Sequence, residues 1–304
     1  MNNALNNRGE IDILCVGEVL VDFIGHQEGV LISGTRDYHR YLGGSPTNVA
    51  MNSTRLGLNT IMVATVGNDG FGSYITERLT SVGINTNHLN VLDDKSTSVI
   101  FVSRSEGTPD FIPYRSADCC IYEEQISKEI LSNTKIFHTT CFALSKNPAQ
   151  KTILKKAKEA YDLGCKLSID VNYARKLWKS QEKAFKVIKT YCQFNPLIKI
   201  SEDDMLRLFE KELPHEEIFE FFHQQGVDTV CLTLGSKGVK LSQKGKEVIQ
   251  MPAIKIDKVM DSTGAGDAFA GGLLVARARG DSWEDALHAG HRAARAHLQQ
   301  QEEG

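Results

Sequence analysis

The stretch DSTGAGDAFAGGLL, residues 261–274, places small residues and two carboxylates where a helix is predicted to begin. Glycines at 264 and 266 let the backbone expose successive N–H groups at the amino end of that helix, where free donors and the helix dipole favour an anion. Asp267 stands beside this predicted anion hole, so its carboxylate could take a proton from a hydroxyl that attacks a phosphorus atom held there. A simple helix cap by Asp267 explains the same residues, and residues 261–269 alone do not decide between the two interpretations.

The composition favours a soluble protein with a small-molecule partner. The chain has 304 residues, 41% of them hydrophobic, and a net charge of −3 with both signs interspersed. We therefore predict one domain over 1–304, without the basic surface that nucleic acid requires. No stretch approaches the roughly 20 apolar residues of a membrane span. The seven cysteines form no CxxC pair, which favours reduced thiols and a cytoplasmic location.

Strand-like and helix-like segments alternate along most of the chain. Apolar runs occur at 11–16, 61–66, 136–142, 166–171, 198–200 and 230–234, and helical periodicity occurs at 73–82, 150–163 and 180–190. This order predicts a mostly parallel sheet between two helical layers, an α/β/α sandwich. Two segments, about 24–41 and 96–115, are instead predicted to be extended, the second with a hairpin around 106–109, and to form a small antiparallel β-sheet lid.

Three further stretches could contact a ligand. Thr233 ends an apolar run and is followed by Gly235 and Gly238, a turn that a nucleotide could approach, although a plain turn between strands has the same residues. Gly43 and Gly44 precede Pro46 and Asn48, which favours either a ligand-binding helix start or a tight turn before a proline-initiated helix. Asp22 ends an apolar run in GEVLVDF and is either exposed or hydrogen-bonded to a hydroxyl-rich partner.

Together these stretches resemble the signatures of the ribokinase-like (PfkB) carbohydrate kinases, and among them most closely the fructokinases. GGSPTNVA at 43–50, with RLG at 55–57, is similar to the first family signature, and DSTGAGDAFAGGLL to the second. VGNDGFGSYITERLTSVGI at 66–84 and TLGSKG at 233–238 match further family segments. The resemblance covers nearly the whole chain and implies catalysis by Asp267.

The resemblance also implies a role for each matching residue. Asp267 would be the catalytic base, and the backbone of Gly264, Ala265 and Gly266 the anion hole. The residues implied to bind the sugar are Asp22, Gly43, Gly44, Asn48 and Arg115, together with Asp267. The residues implied to border ATP are Thr233, Gly235, Gly238, Gly266 and His291.

The resemblance implies two metal ions and a contact between subunits as well. Asp261 would help to hold a monovalent cation such as K⁺, and this ion would order the loop that leads to Asp267. Ser201 and Asp204 stand where many relatives carry an NxxE motif, so Mg²⁺ would be held largely through water and ATP oxygens near Asp204. The lid would close over the sugar, and its edge could pair with a second copy to form a homodimer.

Several substrates and one non-catalytic function remain open. Asp22 suits a neutral sugar because it accepts hydrogen bonds from vicinal hydroxyls and would repel an acid sugar. The segment SIDVNYARKLW at 168–178 is similar to one in fructokinases and in 2-keto-3-deoxygluconate kinases, but its arginine, Arg175, comes one position later than usual. We therefore predict an ATP-dependent fructokinase-like enzyme. The alternatives are a 2-keto-3-deoxygluconate kinase, a nucleoside kinase and a non-catalytic sugar sensor.

Overall fold

The computed structural model describes residues 9–104, 110–256 and 263–300. The strands in these ranges are β1 Ile11–Val16, β2 Leu20–Glu28, β3 Tyr38–Gly43, β4 Thr60–Gly67, β5 Leu89–Leu92, β6 Val99–Arg104, β7 Phe111–Tyr114, β8 Thr134–Thr140, β9 Lys166–Asp170, β10 Leu197–Ser201, β11 Thr229–Thr233, β12 Val239–Gln243 and β13 Ile249–Met251. The helices are α1 Ser45–Arg55, α2 Gly70–Val82, α3 Lys128–Ser132, α4 Ala149–Asp162, α5 Gln181–Cys192, α6 Glu202–Phe209, α7 His215–Gln224, α8 Ala265–Arg279 and α9 Trp283–Gln300.

The large sheet has nine strands in the order β13-β12-β11-β10-β9-β8-β1-β4-β5. All neighbouring pairs from β11 to β5 are parallel, and only β12 and β13 run antiparallel to their neighbours. The mostly parallel sheet predicted from the alternating segments is therefore confirmed. Strand β13 ends at Met251, and residues 252–256 that follow it are not in a strand.

Helices cover both faces of this sheet, which confirms the three-layer sandwich. In β1, Leu14 and Val16 face a core built with α4, α5, α6 and α7. Ile13 and Cys15 on the opposite face join a core built with α1, α2 and α8. All four side chains are fully buried, so residues 13–16 are all apolar because both faces of the strand are covered there.

The second sheet is the predicted lid, in the order β3-β2-β6-β7. The prediction was wrong about where it begins: β2 starts at Leu20 and not at residue 24, because the apolar residues Leu20 and Val21 already belong to this strand. It was also wrong to make the lid wholly antiparallel, since β2 and β6 are parallel neighbours. The antiparallel β6–β7 pair is confirmed, and its turn at 106–109 lies outside the described residues.

The two faces of the lid carry different side chains. Directly paired strand residues share a face, and Asp22 is paired with Tyr41 while Phe23 is paired with Arg40. The Asp22 face also holds Gly43, because a Cβ there would lie 2.2 Å from Asp22 Oδ2. On the other face, Phe23 stacks on Phe101 and contacts Phe71 of α2. We call this second side the α2 face.

Asp69 ties the start of α2 to the base of the lid. Its carboxylate accepts hydrogen bonds from Phe71 N and Gly72 N at 3.0 and 2.9 Å, which caps the helix. It also accepts bonds from the backbone N and the hydroxyl of Thr97, both at 2.8 Å. The chain turns so tightly here that a Cβ on Gly72 would lie 2.0 Å from Gly67 O.

Alanine at two glycines of α2 should therefore give opposite results. Gly72→Ala forces a methyl group against backbone and should lower the free energy of unfolding by about 1–3 kcal/mol or more. Gly70→Ala is the matched control, because nothing lies within 4 Å of a Cβ at Gly70, and it should be neutral or stabilising by up to about 1 kcal/mol. Urea unfolding of both variants measures the difference; equal stabilities would contradict the close contact.

Candidate active site

The candidate site lies at the carboxyl ends of the parallel strands, where open α/β sheets bind ligands. Thr140 ends β8 and is paired with Asp170 at the end of β9. Ser201 ends β10 and is paired with Thr233 at the end of β11. The parallel register therefore brings four polar strand ends to one edge of the sheet, although they are far apart in sequence.

Helix α8 begins at this edge with an exposed row of backbone donors. Gly264 is its N-cap in the left-handed conformation (φ 80°), and Ala265 is its first residue. The first N–H groups of a helix have no acceptor within the helix, and glycine at the cap offers no side chain to satisfy them. Thr263 O interacts with His297 Nε2 of α9 at 2.8 Å, which fixes the turn before the helix. The geometry fits the anion hole predicted for residues 264–266.

Asp267, in the first turn of α8, is held by the first turn of α1. Ser45 Oγ donates to Asp267 Oδ1 at 2.6 Å, and Asn48 Nδ2 donates to Oδ2 at 2.8 Å. The structure thus joins the two signature segments at one carboxylate. The contact with Asn48 fits its predicted place in the site, whereas Ser45 was not among the predicted residues.

Glu18 is a buried carboxyl group that sequence reasoning missed. It is 1% exposed. Its Oε1 accepts from Ser45 N at 3.2 Å and its Oε2 from Thr140 Oγ1 at 2.8 Å. Burial raises its pKa to about 8, against the opposing hydrogen bond from Thr140. Glu18 therefore fixes the start of α1, and with it Ser45 and Asn48, to the end of β8. The only signal in the sequence is an acid inside the apolar segment GEVLVDF.

Asp22 faces the site from the lid. Burial, together with the charge of Asp267, raises the pKa of Asp22 to about 7. The close approach of Asp22 to Gly43 leaves no room for a side chain at that position. Gly44 has φ 107°, and a Cβ there would lie 2.4 Å from Glu18 O, so both glycines allow tight backbone packing around the two acids.

The two arginines considered for sugar binding are both paired. Arg115 is 5% exposed and forms an ion pair with Asp118 at 2.6 Å, and it also donates to Ser145. Its guanidinium lies 4.2 Å from the ring centre of Phe142, just beyond β8. Arg175 is 75% exposed and pairs with Glu210. Arg115 therefore lies near the site as a neutralised pair, and Arg175 points into solvent.

A cavity of about 740 Å³ lies on the α2 face of the lid. Its walls include Arg40, Tyr114 and Val99 from the lid, and Asp69 and Phe71 from the start of α2. Arg115 also borders it, but Asp22, Gly43, Asn48 and Asp267 do not. Because strand residues alternate between faces, this cavity is across the lid from Asp22 and is not the predicted sugar site.

A cluster of buried charges lies beside the predicted anion hole, and the sequence did not reveal that a lysine belongs to it. Lys199 Nζ of β10 donates to Asp170 Oδ2 of β9 at 2.8 Å. Burial raises the pKa of Asp170 to about 7, while Lys199 opposes that shift. The carboxylate of Asp204 accepts hydrogen bonds from Ser201 and from Arg207, and burial raises the pKa of Asp204. His138 on β8 is neutral, because burial and the charge of Lys199 lower its pKa to about 3.

Three of the residues predicted to border ATP lie at the next strand end. After Thr233, Gly235 (φ 56°) and Gly238 (φ 106°) form a turn into β12. A Cβ on Gly238 would lie 2.1 Å from Met251 O. His291 is 7% exposed and its ring packs 5.4 Å from that of Phe269 between α8 and α9, so it presents little surface to a ligand. Asp261 lies outside the described residues.

The model of the pfkB family of carbohydrate kinases matches residues 10–304. This chain belongs to that family. It is 36% identical over 279 residues, 92% of this chain and 85% of the relative, to the ATP-dependent 6-phosphofructokinase of Thermoanaerobacterium thermosaccharolyticum. It is also 31% identical to probable fructokinase-7 of Arabidopsis thaliana, over 86% of this chain and 77% of the relative.

Solved structures similar to this pfkB-family kinase have the same fold. The fructokinase of Halothermothrix orenii superposes with a TM-score of 0.81 at 33% identity, covering 92% of this chain and 98% of that one. An uncharacterised sugar kinase from Pyrococcus horikoshii, solved with ATP, gives 0.80 at 28% identity, covering 93% and 90%. The protein is thus a ribokinase-like carbohydrate kinase, a phosphotransferase with an alcohol group as acceptor. Among the described residues, no helix is long and apolar enough to cross a membrane.

The raised pKa of Glu18 predicts how the stability of this pfkB-family kinase depends on pH. The folded protein holds the proton to about pH 8, whereas an ordinary glutamate loses it near 4.5. Below pH 4.5 the carboxyl group is protonated in both the folded and the unfolded protein and does not lower the free energy of unfolding. As the pH rises from 4.5 towards 8, the free energy of unfolding falls, by at most about 1.4 kcal/mol per unit of pKa difference.

Glu18→Gln keeps the shape of this side chain and removes its proton equilibrium. Its free energy of unfolding should fall less between pH 5 and pH 9 than that of the unaltered protein. Asp22, whose pKa is also raised, will still contribute a fall in both proteins. Urea unfolding at the two pH values measures the slopes, and parallel slopes would show that Glu18 is not the responsible group.

Proposed function

We propose that the protein transfers the γ-phosphoryl group of ATP to a primary hydroxyl of a fructose-like sugar. The observation that carries the proposal is the position of Asp267, in the first turn of a helix whose N-cap, Gly264, has no side chain, and held there by Ser45 and Asn48. The carboxylate and the row of N–H donors lie within one helical turn. A hydroxyl and a phosphoryl group could therefore be bound side by side.

The proposed reaction needs one proton transfer and one displacement at phosphorus. Asp267 takes the proton of the sugar hydroxyl as the oxygen attacks the γ-phosphorus. The bond from that phosphorus to the β–γ bridging oxygen breaks, and ADP leaves with the electron pair. The backbone N–H groups of Gly264, Ala265 and Gly266 stabilise the charge on the transferred group.

On the nucleotide side we propose that Thr233, Gly235, Gly238 and Gly266 border ATP. The turn at 235–238 follows the strand end nearest to Ser201, and the P. horikoshii sugar kinase, with the same fold, is solved with ATP. The contact of His291 with adenine stays a prediction. Its ring lies mostly within the α8–α9 packing.

The buried acids fit a magnesium ion that accompanies the nucleotide. Among the described residues Asp170 Oδ1 is buried without a hydrogen-bond partner, and carboxylate oxygens are the ligands that Mg²⁺ prefers. Asp170 and Asp204 would hold the ion, in part through water, and when bound it neutralises phosphate charge. The monovalent cation at Asp261 stays a prediction.

For the sugar site we propose Asp22, Gly43, Gly44, Asn48 and Arg115. A neutral sugar fits better than a sugar acid, because Asp118 neutralises Arg115 and Glu210 engages Arg175. These pairs also weaken the 2-keto-3-deoxygluconate kinase alternative. Fructose 6-phosphate is the second candidate, since the 36% identical relative is an ATP-dependent 6-phosphofructokinase.

Asp267→Asn tests the catalytic base. Loss of general base catalysis should lower kcat by about 10²- to 10⁴-fold and leave sugar affinity nearly unchanged. Asp285→Asn is the matched control, because Asp285 lies in the first turn of α9 as Asp267 does in α8, and should keep full activity.

A coupled assay of ADP release provides the measurement. The sugar panel contains fructose, fructose 6-phosphate, ribose, 2-keto-3-deoxygluconate and adenosine. An active Asp267→Asn variant would refute the role of Asp267. Nucleotide binding without turnover on any sugar would favour the alternative of a non-catalytic sensor.

Asp22 and Arg40 test which face of the lid meets the sugar. Asp22→Ala should raise KM for the preferred sugar by roughly 10- to 100-fold, through loss of charge-assisted hydrogen bonds. Arg40→Met, on the α2 face, is the control and should leave KM unchanged. Steady-state kinetics with saturating ATP measures both; a larger effect at Arg40 would place the sugar in the 740 Å³ cavity.

The homodimer through the lid and the cytoplasmic location stay predictions. Tyr114 and Ile112 of β7 are 60% and 39% exposed on the α2 face, which supports association of that face with a second copy.

All seven cysteines are buried as free thiols, as expected for a reducing compartment.

A further inference from the structure

Lys199 is a buried cation with unused hydrogen-bonding capacity. Its side chain is 8% exposed, and that of its partner Asp170 is 2% exposed. An ammonium group has three N–H donors, and within the described residues Lys199 uses one of them, in the bond to Asp170 Oδ2. The other two donors have no acceptor among the described residues.

The ammonium group lies directly behind the anion hole. A Cβ built on Gly266 would be 3.3 Å from Lys199 Nζ. Burial on its own would lower the pKa of Lys199, but the carboxylates of Asp170, Asp204 and Asp267 raise it above the ordinary value. Lys199 therefore lies among three acids and next to Gly266.

Stability alone does not explain this pair. Replacing a buried ion pair by neutral groups of similar shape is often neutral or stabilising, because both charges lose their hydration on burial. The surrounding charge gives a better reason, since three carboxylates beside loop 264–266 would repel a triphosphate. Lys199 is a buried cation that lies among these three carboxylates.

We infer that Lys199 is a positioning residue for the transferred phosphoryl group. From behind Gly266 its ammonium offsets Asp170, Asp204 and Asp267, so that loop 264–266 accepts an anion beside the base. The inference rests on the proposed role of that loop as the anion hole. It adds the electrostatic condition under which an acidic site can bind a polyanion.

The test compares Asp170→Asn with the double variant Asp170→Asn/Lys199→Met. Lys199→Met alone leaves Asp170 buried and unpaired and is expected to unfold, whereas the double variant removes both charges. Its Tm should equal or exceed that of Asp170→Asn, in which Lys199 is unpaired. Both proteins lack Asp170, so any further change in function comes from Lys199.

We expect the added Lys199→Met change to lower kcat about 100-fold, comparable with loss of one stabilising donor. The Kd for ATP, measured by calorimetry without sugar, should rise about tenfold, as for loss of one charge-assisted contact. The Kd for ADP should change less than about twofold, because ADP lacks the phosphoryl group that the loop would bind.

Lys135 and Asp12 provide the matched control. They form a similar lysine–aspartate pair at 2.7 Å, between the adjacent strands β8 and β1 but at the amino edge of the sheet. Adding Lys135→Met to Asp12→Asn should change neither kcat nor the ratio of ATP to ADP affinity.

Equal kcat and equal ATP-to-ADP affinity ratios in Asp170→Asn and the double variant would overturn the inference and leave Lys199 as a structural partner of Asp170. Absence of turnover in the unaltered enzyme with every sugar would instead refute the proposed function. The comparison of ATP with ADP would still decide the role of Lys199.

Discussion

The hydrogen bonds from Ser45 and Asn48 to Asp267 are the contacts on which the architecture of the site depends. They join residues 222 and 219 positions apart and bring the amino ends of two helices to one carboxylate. Glu18 fixes one of these helix ends to the end of β8. Helices α8 and α1 also pack closely, since a Cβ on Gly271 would lie 2.9 Å from Asn52 Cβ. The amino ends of α1 and α8 are therefore fixed to each other, although the loops around them are short and rich in glycine.

Charge at the site is controlled by burial as much as by pairing. Glu18 is buried and Asp22 is partly buried, and each holds its proton at a higher pH than an exposed acid does. Lys199 keeps its charge because carboxylates surround it. The same edge of the sheet can therefore offer hydrogen-bond acceptors to a neutral sugar and a positive field to a polyphosphate.

The sequence predicted the features that depend on local physics. Period and composition indicated the parallel strands and their helices, and the glycines at 264 and 266 led to the prediction of an anion hole there. Features that depend on register and tertiary contact were missed. Lys199 lies between Ile198 and Ile200 in the predicted strand, but only its pairing with Asp170 on the neighbouring strand identifies its partner. The start of the lid at Leu20 was missed because Leu20 lies within the apolar residues 19–21, which give no local sign of a strand start.

The alternation of side chains in the lid separates two kinds of heritable change. Asp22 and Phe23 are neighbours in sequence but lie on opposite faces, as do Tyr41 and Arg40. A single-codon change can therefore alter one face of the lid while leaving the other face intact, and a change in the next codon does the reverse. The two faces can diversify independently, even within one strand of six residues.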